Sequence, residues 1–261
     1  MIAHFRNGVF AFETGLATDR GCRREINEDS LIARPDFGIW AVADGMGGHA
    51  AGDFASAAIA EELDSIGVPV SHADLQARLM DRLIRANDAI RRRAEAQDSR
   101  ATIGSTVVAL LAQEAEWSVV WSGDSRAYLM RGGQLVQQSR DHSELRALID
   151  AGQISEDEAK DFPRKNVITR AIGVTPRPQC DIVSGELLPG DRFLLCSDGL
   201  CEHLEDAEIA AILAERPPQD ACDALIAEVL ARGARDNVTI IVVACSPDFF
   251  DEVTRPSVRS E

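Results

Sequence analysis

Lysine is nearly missing from this chain. Only Lys160 and Lys165 occur, and arginine carries the rest of the positive charge. Against 27 Lys+Arg stand 43 Asp+Glu, so the formal net charge is −16. Non-specific binding to nucleic acid or to an anionic membrane needs basic surface, so this balance argues against both kinds of partner. It does not stop an acidic site from collecting cations. No apolar run approaches the roughly 20 residues of a membrane-spanning helix, and the N-terminus lacks the apolar stretch of a signal peptide. None of the six cysteines (Cys22, Cys180, Cys196, Cys201, Cys222, Cys245) forms a CxxC pair. Cys196 and Cys245 lie within apolar strands, where cysteine acts as a small hydrophobe, so reduced thiols are expected. There is no internal repeat and no continuous acidic calcium loop of the DxDxDG kind. The expectation is a soluble, cytoplasmic, monomeric protein.

At 261 residues and 45% hydrophobic content the chain can bury a substantial core. Alternation and apolar runs predict strands over 9–17, 30–33, 38–43, 105–113, 117–122, 126–131, 134–138, 181–186, 192–196 and 238–245. Helical spacing predicts helices over 53–65, 73–97, 206–214 and 218–233, in two pairs that each follow a strand block. The stretch 143–160 reads as two short helices split by Gly152, and 144–172 as an inserted subdomain above the sheets. Strands in meanders and helices in pairs predict an α+β fold of packed, mostly antiparallel sheets flanked by helices. A doubly wound parallel sheet would need strict alternation.

Four aspartates lie at strand ends: Asp44 and Asp198 each after an apolar run and before Gly, Asp124 after Val-Val-Trp-Ser-Gly, and Asp236 just before the last strand. A fifth acidic pair, Glu28-Asp29, follows Arg24 and Asn27. One Asp-Gly after a strand is ordinarily a turn. Several dispersed strand ends carrying Asp beside small residues can instead meet at one end of a sheet, where carboxylate oxygens suit Mg²⁺ or Mn²⁺. Two such ions about 3.5–4 Å apart can activate one water between them. Asp44 is the candidate bridging ligand, Asp198 and Asp236 further ligands, and Asp29 a ligand directly or through water; the Gly45 carbonyl can join them. Arg24 is the candidate phosphate ligand. Arg23 is beside it, but the spacing to Asn27-Glu28-Asp29 favours Arg24, and the alternative is a surface salt bridge to Glu25 or Glu28. Either His49 or His142 could supply a proton to a leaving oxygen, although a lone histidine is more often structural.

The ordered strings Thr18-Asp-Arg-Gly-Cys-Arg-Arg24-Glu-Ile-Asn27-Glu28-Asp29, Ala43-Asp44-Gly45-Met46-Gly47-Gly48-His49, Gly104-Ser105-Thr106, Gly123-Asp124-Ser125-Arg126, Asp141-His142-Ser143, Ser197-Asp198-Gly199-Leu200 and Asp236-Asn237-Val238-Thr239 resemble the bacterial branch of the protein phosphatase 2C (PPM) family. The resemblance covers about residues 12–245, leaving an N-terminal segment 1–11 and a polar tail 246–261. It implies a four-layer αββα sandwich with a flap at about 144–172. It also implies a binuclear Mn²⁺ or Mg²⁺ centre and hydrolysis of phosphoserine or phosphothreonine in proteins by a metal-bridging water, without a phosphoenzyme. By position Asp44, the Gly45 carbonyl, Asp198 and Asp236 match the family's metal ligands, Asp29 the first acidic position, and Arg24 the phosphate arginine. Asp124 matches the residue that, with Asp198, holds a third, weaker metal. The implied partners are phosphorylated proteins and a Ser/Thr kinase acting on the same substrates. Met46 stands where eukaryotic members place His, and Ser105 where Thr is frequent. The Gly-Met-Gly-Gly-His string is also similar to phosphatases that control bacterial type VI secretion. The alternatives are a pseudophosphatase that only binds, a cation sensor, and a hydrolase of non-protein phosphoesters.

Overall fold

Strands buried on both faces read as unbroken apolar runs. Two such runs, starting at Ile39 and Val238, hold the centre of the protein. In the computed structural model, which describes residues 3–6, 9–47, 51–96, 102–159, 162, 164 and 167–247, each is covered on both sides. In chain order the strands are β1 (Ala3–Arg6), β2 (Phe10–Asp19), β3 (Asp29–Arg34), β4 (Ile39–Met46), β5 (Gly104–Ser105), β6 (Val107–Gln113), β7 (Glu116–Ser122), β8 (Arg126–Arg131), β9 (Gln134–Gln137), β10 (Asp181–Glu186), β11 (Arg192–Cys196) and β12 (Val238–Pro247). The helices are α1 (Gly52–Asp64), α2 (His72–Ala96), α3 (Glu144–Asp150), α4 (Glu156–Ala159), α5 (Asp198–Cys201), α6 (Asp206–Glu215) and α7 (Pro218–Ala231).

One sheet has the order β1-β2-β12-β11-β8-β9; the other runs β10-β7-β6-β4-β3, with β5 paired to β4. Every pairing is antiparallel. Because side chains alternate along a strand, Trp40 and Val42 of β4 face the space between the sheets, while Ile39, Ala41 and Ala43 face α1 and α2. On β12, Ile241 and Val243 face between the sheets, and Ile240 and Val242 face α6 and α7. Three apolar layers therefore separate four layers of structure, α/β/β/α. Aromatic pairs lock the middle layer: the rings of Phe12 and Trp40, and of Trp117 and Phe193, lie 5.4 Å apart. The α2 stripe expected from the sequence, Leu75, Leu79, Leu83, Ala86 and Ile90, is fully buried.

The differences from expectation have local causes. β2 runs on to Asp19, beyond the expected strand end at residue 17, because β12 pairs with it from Val238↔Asp19 to Pro247↔Phe10. An edge strand, β1, lies in the segment expected to be plain terminus. The expected strand 105–113 breaks at Thr106, whose amide donates to the Asp44 carbonyl. Gly152 at φ +66° ends the first of the two short helices, and Lys160, in the stretch expected to end the second, lies outside the described residues. The Asp198-Gly199 turn is the start of a one-turn helix, α5. In the stretch expected as an inserted subdomain, the bridge Ser143↔Ile168 closes its two ends on each other, and Ser105↔Ile172 ties its far end to β5. Of the expected tail, only Ser246 and Pro247 are described, and they extend β12.

Leu83 is fully buried on α2 against the outer face of a sheet. Leu83→Ala should therefore cost about 2–5 kcal/mol, read as a lower urea midpoint with an unchanged denaturant slope.

Candidate active site

Asp29 opens β3 and Asp44 lies near the end of β4, and the register sets the two directly opposite each other. Like charges in that position repel. Asp198 begins α5 immediately after β11, Asp124 lies between β7 and β8, and Asp236 precedes β12. The two sheets thus bring the five aspartates, scattered over the chain, toward a common edge. Their mutual charge is felt: Asp29, Asp198, Asp124 and Asp236 all act on Asp44.

Burial, first, and then these neighbouring charges hold Asp44 and Asp198 well above the usual carboxylate range. Glu202, one turn after Asp198, adds to the effect on Asp198 and on Asp124. Burial pushes Asp29 up to about 6, against hydrogen bonds from Thr239 and Ser197. Burial and Asp141 push Asp124 up to about 6, against the Arg126 guanidinium. A site in which four carboxylates resist ionisation lacks positive charge.

The backbone around these carboxylates is closely tied. Ser197 Oγ donates to Asp29 Oδ2 at 2.8 Å and accepts from the Thr239 amide at 3.0 Å, joining the sheets at this edge. The Asp44 carbonyl accepts from Thr106 N and Ser105 Oγ, and the Asp44 amide donates to Thr106 Oγ1. Gly45 and Gly199 are required where chains pass close: an added Cβ would come 2.0 Å from the Gly52 carbonyl oxygen and 2.0 Å from that of Asn237, respectively. Asn237 clamps the preceding loop. Its Nδ2 donates to the carbonyls of Arg20 and Ile26, and its Oδ1 accepts from the Glu28 amide.

Arg24 is carried on that loop. It pairs with Asp236 at 2.6 Å, not with Glu25 or Glu28. The hydrogen bond to Asp236, more than any other influence, raises the guanidinium further. The pair is 49% and 28% exposed, so it adds little stability, and Arg24 can exchange its partner at small cost.

His142 is placed differently from a mobile proton donor. It is 8% exposed and stacked on Trp121. Its Nδ1 accepts from the Gly123 amide at 3.2 Å, and its Nε2 lies 3.1 Å from Asp181 Oδ2. Burial lowers its pKa. It therefore braces the Asp124 loop. His49 lies outside the described residues. Sequence reasoning passed over the Arg126–Asp141 pair, joined through three hydrogen bonds and shared with Gln137 and Tyr128. The signal was there, in the opposite charges that flank the strand pair β8–β9.

Among the described residues, no three His, Cys, Asp or Glu side chains close into a preformed cation cage. The chemistry of the set nevertheless fits hard cations. Its donors are oxygens, and Glu28 Oε1, Asp29 Oδ1 and Asp198 Oδ1 are buried without a hydrogen-bond partner. Buried polar atoms left so are costly.

A family model described as Protein phosphatase 2C matches residues 20–238. The chain is 37% identical over 227 residues to the serine/threonine protein phosphatase PstP of Mycobacterium tuberculosis, covering 86% of this chain and 43% of that protein. It therefore spans less than half the length of that relative. Among solved structures it is similar to PppA, a key regulatory component of T6SS in Pseudomonas aeruginosa, with TM-score 0.84 and 38% identity over 90% of this chain and 97% of that one. It is likewise similar to the catalytic domain of PstP in complex with two manganese ions, with TM-score 0.79 and 33% identity over 91% and 99% of the two chains. A match running from the Arg24 loop to the start of β12, on the same sandwich, means that the chain belongs to the protein phosphatase 2C family.

Proposed function

We propose that this protein hydrolyses phosphoserine and phosphothreonine esters of proteins with two divalent cations, Mn²⁺ or Mg²⁺, bound at the acidic edge. The observation that carries this reading is the Asp29–Asp44 pair, two carboxylates held face to face by strand register with a partnerless buried oxygen beside them. Bound there, two cations supply an activated water and neutralise the charge of an in-line displacement. Asp44 would be the ligand shared by the two cations. Asp29, Asp198, Asp236 and the Gly45 carbonyl would complete the set, and Asp124 with Asp198 would offer a weaker third position. The relative solved with two manganese ions supports the metal assignment.

Arg24 binds the phosphate. Its guanidinium pairs with Asp236, and a phosphoester would offer it a bidentate partner of higher charge. The catalytic set is thus Arg24, Asp44 and Asp198. Both ring nitrogens of His142 are engaged, so His142 is not the group that gives the leaving oxygen its proton. The inserted subdomain at about 144–172, closed on itself at Ser143↔Ile168 and tied to β5 at Ile172, is the surface that meets the phosphoprotein. A cytoplasmic monomer opposing a Ser/Thr kinase is the setting we infer, and the likeness to PppA supports a role in type VI secretion. No described helix is long and apolar enough to cross a membrane.

With Mn²⁺ and a phosphothreonine peptide, Asp198→Asn should lose about two orders of magnitude or more in kcat, as several kcal/mol of charge stabilisation implies. A near wild-type rate would remove Asp198 from the site. Arg24→Ala should raise KM by about tenfold, with a smaller change in kcat, because it removes a charge-assisted phosphate contact; steady-state kinetics at saturating Mn²⁺ decide this, and an unchanged KM counts against the role.

A third expectation concerns pH. Asp29 and Asp124 hold their protons up to about 6 in the folded protein, against an ordinary value of 3.8. Between those values the folded state binds more protons than the unfolded one, so their contribution to stability is present at low pH and is lost as pH rises through 6. Cations relieve that loss only once the protons are gone. Melting curves with and without Mn²⁺ should show a larger stabilisation at pH 7.5 than at pH 5; an equal shift at both would mean that these carboxylates do not bind the ion.

A further inference from the structure

Six cysteines are free, and two of them meet. Cys196 closes β11 and Cys201 closes α5, with Ser197 and Asp198 in the short turn between them. The two Sγ atoms are 3.8 Å apart. Cys196 is fully buried, whereas Cys201 is partly exposed. Tyr128 Oη lies 3.4 Å from Cys201 Sγ and accepts from Arg126 at 3.2 Å. The Asp29, Asp44 and Arg24 chemistry uses neither sulfur.

We propose that Cys196 and Cys201 are an oxidisable pair whose disulfide displaces Asp198 and so weakens cation binding. A disulfide bond is about 2.05 Å long, so the sulfurs must approach by roughly 1.8 Å. The movement falls on α5. Cys196 is held in the sheet between Ile240 of β12 and Arg126 of β8, whereas α5 is a single turn. Asp198 begins that turn, and Gly199 lies with its backbone against the Asn237 carbonyl. Drawing Cys201 toward β11 therefore shifts Asp198 and presses on the residue that clamps the Arg24 loop.

The oxidant is a hydroperoxide. The Cys201 sulfur attacks a peroxide oxygen and becomes a sulfenic acid as the O–O bond breaks and water leaves. The Cys196 sulfur then attacks Cys201 Sγ, and the second oxygen leaves as water. Two thiols and one H₂O₂ give one disulfide and two waters; a dithiol reverses the change by being oxidised itself. The hydrogen bond from Cys196, and next among the favourable influences the Arg126 guanidinium, lower the Cys201 thiol to about 7 against the cost of burial. This keeps a large thiolate fraction at neutral pH.

The test uses the full chain treated with H₂O₂. A protease that cuts before aspartate separates Cys196 from Cys201 at Asp198, so the two fragments stay linked only if the bridge has formed. Mn²⁺ affinity, from the dependence of melting temperature on Mn²⁺, should fall about tenfold or more, the scale of disturbing a ligand's support, and return with dithiothreitol. Cys201→Ser and Cys196→Ala should form no link and keep their Mn²⁺ affinity under the same oxidant, while Cys22→Ser should behave as the unmodified chain. Unlinked fragments, a link with unchanged Mn²⁺ affinity, or equal loss in Cys201→Ser would each overturn the proposal. The loss of Mn²⁺ affinity rests on the cation site proposed above, and only the consequence for catalysis on the phosphatase reading. Linked fragments with reduced Mn²⁺ affinity, but no phosphopeptide hydrolysis in either redox state, would uphold the switch and defeat that reading alone.

Discussion

Repulsion among carboxylates at the meeting edge of two sheets is the constraint on which the rest of this structure depends. Asp29 and Asp44 are opposite each other by register, and Asp198, Asp124 and Asp236 approach from three further chain segments. Nothing in the apolar layers requires them there. The protein tolerates the arrangement because the backbone around it is over-determined: Ser197 bridges the Asp29 carboxylate to Thr239, and Thr106 and Ser105 fix Asp44 by its amide and carbonyl. Rigid edges prevent the carboxylates from drifting apart to relieve their charge. A proton or a cation is the remaining means of relief, and so the raised carboxylate pKa values and the affinity for metal have one origin.

The same edge organises what is attached to it. Asn237 anchors the 20–28 loop through three hydrogen bonds, so Arg24 is positioned from the start of β12, more than two hundred residues along the chain. Asp236, adjacent in sequence, holds Arg24 by charge. On the far side, His142 and the Arg126–Asp141 pair support the Asp124 loop. A partly buried ionic pair of that kind contributes little net stability after desolvation; its effect here is on the potential at Asp124. The thiol pair flanking Ser197 and Asp198 brings sulfur chemistry to the most closely tied turn of the site.

Much of the fold was legible because periodicity reports burial. The α2 stripe and strands 126–131, 181–186 and 192–196 came out as read from the pattern. Short elements were not legible. β1 forms only because β2 offers it an edge, and α5 only because Gly199 fits against Asn237. Of the residues expected on chemical grounds, the structure sets Asp29 opposite Asp44 and brings Arg24 to Asp236, whereas His142 is held by its own contacts.

By itself the sequence determined the alternation that makes four layers, and it determined which side chains can bind a cation or a phosphate, because both follow from residue type and spacing. The tertiary structure decided which of those side chains meet. Register set Asp29 against Asp44, sheet packing brought Ser197 to Asp29, and loop closure gave Arg24 to Asp236 in place of its neighbours Glu25 and Glu28. Such meetings depend on pairings between distant segments, and local pattern carries no information about those pairings.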